Sequence, residues 1–197
     1  TSAGSVVGAQ VTNGLSLDDL YASQLEPPDA ELGGRLSRIA ALKLVPPYLL
    51  PGSGRDKLAR VGRVARASHE PGSIDREGVI RSRLPVHDWS DRDLRITAVD
   101  TESGEFTVFT RDSGVDLVSA VAASCAVPTV WPPVEIAGRT YMDGGMRSTA
   151  NVDVAEGAER VVVLAPLLVS VSRKSSIQAQ MEKIGPRAWS VVTPDPE

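Results

Sequence analysis

Residues Val115 to Cys125 form a run of valine, alanine and small polar residues carrying one charge, Asp116. A helix over this run has no polar face, so it must be covered on all sides. Ser113 is placed to cap it and Pro128 to stop it. The continuous β-branched run Val161-Val162-Val163-Leu164 makes a similar demand, reading as a central strand covered on both faces. Two such elements require layers. With 197 residues and 42% of them hydrophobic, the chain can supply the layers within a single domain, 1–197.

The remaining pattern supplies both helices and strands. The opening run to Asn13 reads as a small, apolar, buried helix ending at Gly14, and Ser16 with Asp19 marks a second helix to about Gln24. A third runs from about Ala30 to Leu44 and is broken by Pro46-Pro47. Between Arg55 and Ser68, Leu58, Val61, Val64 and Ala65 recur at helical spacing beneath Arg55, Lys57, Arg60, Arg63 and Arg66. Glu70 to Trp89 reads as loop-rich. Leu94 to Val99 alternates as a strand, with Phe106–Phe109 as its hairpin partner. Val134–Ile136 and Thr140–Met142 flank a short turn, and a last helix spans Ser176 to Ile184. The class is α/β.

Composition closes off several functions. Lys and Arg total 21 against 25 Asp and Glu, a net charge of −4 that does not suit a nucleic-acid binder. One cysteine excludes an internal disulfide, and with two histidines no Cys/His metal cluster can form. The stretch Val161 to Val171 is interrupted by Pro166 and Ser170 and is too short to cross a bilayer. Arginine outnumbers lysine 17 to 4, which suits a G+C-rich bacterial origin.

Two short motifs carry chemistry. In Thr1-Ser2-Ala3-Gly4-Ser5, small residues flank a serine at a helix start, where a sharp turn tolerates no bulk and N–H donors lie beside the hydroxyl. A glycine before Thr1 would complete a G-x-S-x-G nucleophile elbow. In Tyr141-Met142-Asp143-Gly144-Gly145, a strand delivers an aspartate, and two glycines then permit close backbone approach. Taken singly, the first is an ordinary helix cap and the second an ordinary turn. Ala123-Ser124-Cys125-Ala126-Val127-Pro128, taken singly, is core.

In this order and spacing the motifs resemble the patatin-like phospholipase family. The resemblance runs through Ser2, the Leu94–Asp100 segment, Ala120 to Pro128, Val134 to Met142, Asp143-Gly144-Gly145, Asn151 and the run from Gly157 to Leu164. It implies a three-layer sandwich with a central, mostly parallel sheet and helices on both faces, here incomplete. It also implies a serine acyl-ester hydrolase of lipids that works without cofactor or metal. Ser2 would be the nucleophile and Asp143 its base. Ala3 and Gly4 would form the elbow and oxyanion side, with Gly144 and Gly145 supporting the aspartate loop. The family's glycine-rich oxyanion loop and the strand entering the nucleophile have no counterpart in 1–197, so the chain is expected to be a fragment truncated at both ends. The partners implied are a lipid acyl ester and a membrane surface met peripherally, with a cytoplasmic or membrane-associated location.

Rival readings stay beside this one. A Ser–His–Asp triad in α/β-hydrolase order needs a histidine after Asp143, yet His69 and His87 both precede it. An N-terminal-nucleophile hydrolase would use Thr1 at the start of a strand. A patatin-like module could bind lipid or protein without turnover. Asp88, Asp91 and Asp93 lack the EF-hand pattern and read as solvated charge. The basic face of the Arg55–Arg66 helix reads as solvated, with anionic headgroups as its alternative partner. Tyr141 reads as packing, with the acyl pocket as its alternative.

Overall fold

The computed structural model describes residues 1–25, 38–69, 75–166, 170 and 172–194. Helices α1 (Ala3–Thr12), α2 (Leu17–Leu25), α3 (Arg38–Leu49), α4 (Gly54–Ala67) and α5 (Arg76–Arg83) precede strands β1 (Ile96–Asp100) and β2 (Phe106–Phe109). Then follow α6 (Leu117–Ser124), β3 (Val134–Ile136), β4 (Arg139–Asp143), β5 (Arg160–Leu164), α7 (Ile177–Ile184) and β6 (Ala188–Val192).

Four strands form one sheet in the order β2-β1-β4-β3, and every neighbouring pair in it is antiparallel. The expected mostly parallel sheet is therefore corrected for the described strands. The connections explain why: β3 and β4 are joined by Ala137 and Gly138 alone, both at positive φ (50° and 74°), a two-residue hairpin turn. Links as short as this one and the one from β1 to β2 allow only antiparallel neighbours, whereas β1 and β4 pair antiparallel across the longer link that contains α6. Parallel pairing is confined to β5 and β6, whose link contains α7 and is long enough for a crossover.

Helices do cover both faces of the four-stranded sheet. On one face, Ala9 of α1, Ile80 of α5 and the α6 core pack with Ile96, Ala98 and Tyr141. On the other, Leu58, Val61 and Ala65 of α4 pack with Val99 and Met142. The helix-spaced apolar stripe thus faces the sheet as its period requires, and Ser53 with Asp56 closes a capping box at the helix start. A third cluster joins Val152, Val161, Val163, Ala165 and Met181 around β5 and α7.

Several sequence expectations change. All eight residues of α6 are buried, as a helix without a polar face must be, but its cap is Asp116, which accepts from Ser119 N at 2.9 Å. Ser113 instead ends a 3-10 turn, and Gly114 at φ 69° separates it from the helix. Helix α1 is not buried all round: Ser5 and Ala9, four residues apart, face inward, while Val7 and Val11 are exposed. Pro46 and Pro47 lie inside α3. The N–H bonds they forgo would go to carbonyls four residues earlier, beside exposed Leu42 and Lys43, where water can serve instead. The expected start of this helix at Ala30 lies outside the described residues. The Glu70–Trp89 stretch contains α5, capped by Asp75 and anchored by fully buried Ile80. One anchor among charged neighbours leaves no readable period. Strand β5 is covered on one face only, since Val161 and Val163 are buried while Val162 and Leu164 stay exposed, and its partner β6 was not anticipated.

Candidate active site

The site is assembled where α1 begins, where α6 ends and where β4 ends. Ser2 caps α1 with φ 51° and ψ −135°, a conformation that residues with side chains rarely adopt. Its backbone is anchored nonetheless. Ser2 N donates to Ser124 Oγ at 3.1 Å, and Ser2 O accepts from Ser5 N at 2.7 Å and from Ser5 Oγ at 2.6 Å. Ala3 and Gly4 are exposed beside it. As the first residue of the helix, Ala3 has no intrahelical acceptor for its N–H.

Asp143 is the last residue of β4 and lies opposite Ala98, on the sheet face that α1 and α6 cover. Its side chain is 1% exposed. Burial pushes its carboxyl up to about 6, against the Ser2 side chain and the Gly145 N–H, which favour the carboxylate as hydrogen-bond partners, and the charge of Arg76. Gly145 N donates to Asp143 Oδ1 at 2.6 Å. Gly144 presses on β1 so closely that a Cβ would stand 2.4 Å from Thr97 Oγ1 and 2.6 Å from Thr97 O. Glycine is required there by approach, not by φ.

Asn151 closes the site from below. Fully buried in a left-handed conformation, it donates from Nδ2 to Thr1 Oγ1 (3.1 Å), Gly144 O (2.9 Å) and Ser148 O (2.8 Å). Arg147 holds the other end of its amide, Nη1 to Oδ1 at 2.8 Å, while stacked 4.0 Å over Phe106 and paired with Asp153. Thr1 Oγ1 also meets Thr97 Oγ1 at 2.7 Å. The residue before Ser2 and the residue after Asp143 are thereby tied to one side chain.

The structure thus brings Ser2 and Asp143 together, with Ala3, Gly4, Gly144 and Gly145 around them. The rival readings fare differently. His87 is exposed, with its ring nitrogens 3.0 Å from Arg81 O and 3.3 Å from Arg81 Nη1. Thr1 leads into a helix rather than a strand. Asp91 and Asp93 pair with Arg111 (2.6 Å) and Arg95 (2.9 Å). On α4, Arg55 meets Glu105 and Arg66 meets Thr101, so part of that basic face is engaged within the protein. Tyr141 packs edge-on against Phe109, ring centroids 5.2 Å apart.

Sequence reasoning missed the supporting roles of Ser124, Thr97 and Arg76. A serine closing an otherwise apolar helix is a readable signal for Ser124; an arginine inside a stretch taken for loop is not. A cavity of about 360 Å³ lies elsewhere, between α7 and β6, lined by residues such as Ile177, Trp189 and Val191. It offers no paired nucleophile and base, so chemistry rather than volume selects the Ser2 site.

No curated protein matches the chain closely enough to count as a relative. The family model for patatin-like phospholipases matches residues 1–156, a span that includes α1, the four-stranded sheet and both halves of the site. The chain belongs to the patatin-like phospholipase family.

Proposed function

We propose that the chain is a serine acyl-ester hydrolase of lipids that works through a Ser2–Asp143 dyad. The family at large hydrolyses lipid esters. What supports the finer reading is a buried carboxylate, Asp143, on which the Ser2 side chain acts to favour the charged form, with Ser2 and Asp143 both anchored by backbone to the turn at the end of α6. An aspartate at its usual pKa near 4 is a feeble base toward an alcohol; held out of water at about 6, it is stronger yet still ionised at neutral pH.

In this reading Asp143 takes the proton from Ser2 Oγ as that oxygen attacks the ester carbonyl carbon. The tetrahedral oxyanion forms beside the Ala3 N–H and the positive end of α1. Collapse breaks the C–O bond to the alcohol, which leaves with the proton held by Asp143. Water then gives a proton to Asp143 and attacks the acyl-serine. The acid is released as the proton returns to Ser2.

Exposed apolar side chains support contact with a lipid aggregate. Leu17, Tyr21 and Leu25 form one stripe on α2, and Leu42, Val45 and Leu49 another on α3. Such stripes fit the boundary between headgroups and acyl chains. Among the described residues no helix is long and apolar enough to cross a membrane.

The test is labelling by a fluorophosphonate probe. Wild type is expected to be modified at Ser2, Ser2→Ala to be inert, and Asp143→Asn to be slowed by about 10²–10⁴-fold. Labelling that survives Ser2→Ala sinks the dyad. Vesicle binding without any labelling identifies a lipid-binding module instead.

A further inference from the structure

Arg76, the first residue of α5, is 6% exposed, and its Nε and Nη1 are buried without a hydrogen-bond partner. Leaving charged donors unmade inside a protein is costly, so a guanidinium so placed needs another source of attraction. One is the ring of Trp131, 4.2 Å away. The other lies toward the active site: Nη2 donates to Cys125 O at 3.3 Å, and the charge acts on Asp143. No carboxylate among the described residues forms a direct ion pair with Arg76.

The peptide that Arg76 holds touches both members of the dyad. Ser124 Oγ accepts from Ser2 N at 3.1 Å, and Ala126 O accepts from Asp143 N at 3.0 Å. Cys125 lies between them, its Sγ 3.5 Å from Ser5 Oγ and its carbonyl on Arg76. A three-residue turn at the end of α6 therefore brackets nucleophile and base, and the guanidinium pins its middle.

We propose that Arg76 is a positioning residue for the Ser2–Asp143 pair, pinning the Ser124–Ala126 bracket and holding Asp143 in its charged, proton-accepting form. This rests on the dyad reading above. Asp143 otherwise sits where burial favours the uncharged acid. A fixed positive charge opposes that drift without occupying an oxygen that must take the Ser2 proton. Because Arg76 reaches the pair through a carbonyl and through space, it need not contact substrate.

The groups facing Asp143 are the Ser2 hydroxyl at the head of α1, the Cys125 thiol at the end of α6 and Arg76 of α5. Arg76 in turn faces Cys125, Asp143 and Arg83 on its own helix. Burial raises the Cys125 thiol, keeping it neutral where Asp143 titrates.

The experiment follows the rate of fluorophosphonate labelling at Ser2 on the full chain, by intact mass, from about pH 5 to about pH 9. For Arg76→Met, which can still pack on Trp131, the acid limb is expected to move up by about one pH unit, with a rate about fivefold slower near pH 6. Arg76→Lys, which keeps the charge, is expected to leave the limb in place. An Arg76→Met limb that coincides with wild type overturns the proposal, as does an Arg76→Lys limb displaced as far as that of Arg76→Met. If Arg76→Met lacks a cooperative thermal transition, Arg76→Gln replaces it under the same two criteria. A wild-type chain unlabelled at Ser2 fails at the earlier step, overturning the dyad and this inference with it.

Discussion

An aspartate that is 1% exposed and raised to about 6 works against its own fold at neutral pH. In the unfolded chain the same carboxyl titrates near 3.8, so the folded state binds its proton more tightly. Whatever stability this group lends is present below the unfolded value and is lost as pH rises through about 6. A rise of this size corresponds to about 3 kcal/mol. Asp143→Asn, which cannot ionise, should therefore melt at a higher temperature than wild type at pH 8 while losing activity. The difference should vanish below pH 3.8; calorimetry at the two extremes measures it. Ser2, held at φ 51°, is a second residue whose conformation favours chemistry over stability. Neither stood out from its own few neighbours, which read as an ordinary cap and an ordinary turn; the order and spacing of the two motifs along the chain singled them out. Arg76 was not legible: its meaning comes from Trp131 and Cys125, and spacing in one dimension does not reveal which carbonyl a side chain reaches.

Elements meet at fixed distances, and glycines mark where those distances are shortest. Helix α4 crosses the end of β1 at Gly62, where a Cβ would lie 2.0 Å from Thr101 O. Gly62→Ala should force α4 off the sheet and destabilise the protein by about 1–3 kcal/mol, measured by urea unfolding. The loss should fall on the α4 face and leave Ser2 labelling of the folded fraction close to wild type, since the dyad lies on the opposite face of the sheet. Elements with a strong local code were readable: the α4 stripe, the short turn between β3 and β4, and the apolar α6. Those decided by their surroundings were not. Helix α5 has one buried anchor, Ile80, among charged neighbours. Strand β6 alternates no better than a loop. The prolines of α3 lie within the helix near its C-terminal end, with the carbonyls they leave free beside exposed residues.

For the molecule as a whole, the layers followed from elements that need cover, whereas strand direction did not, because direction is set by connection length and by which strands become neighbours. On the proposed reading, the outer surface bears on function through the exposed α2 stripe. Replacing Leu17, Tyr21 and Leu25 together by serine should slow hydrolysis of esters presented in vesicles while sparing a dissolved short-chain ester, compared by initial rates on the two forms. Equal loss on both would place those residues in folding instead. The Asn151 tether reaches further still. It clasps Thr1 across 150 positions of sequence, and Ser2 leans on Ser124 across 122. A growing chain that has passed Ser2 but not yet reached Asp143 has therefore made a serine without its candidate partner. The candidate site therefore assembles only once the later segment bearing Asp143 and Asn151 has been made, so the order of synthesis itself keeps its serine idle until the fold closes around it.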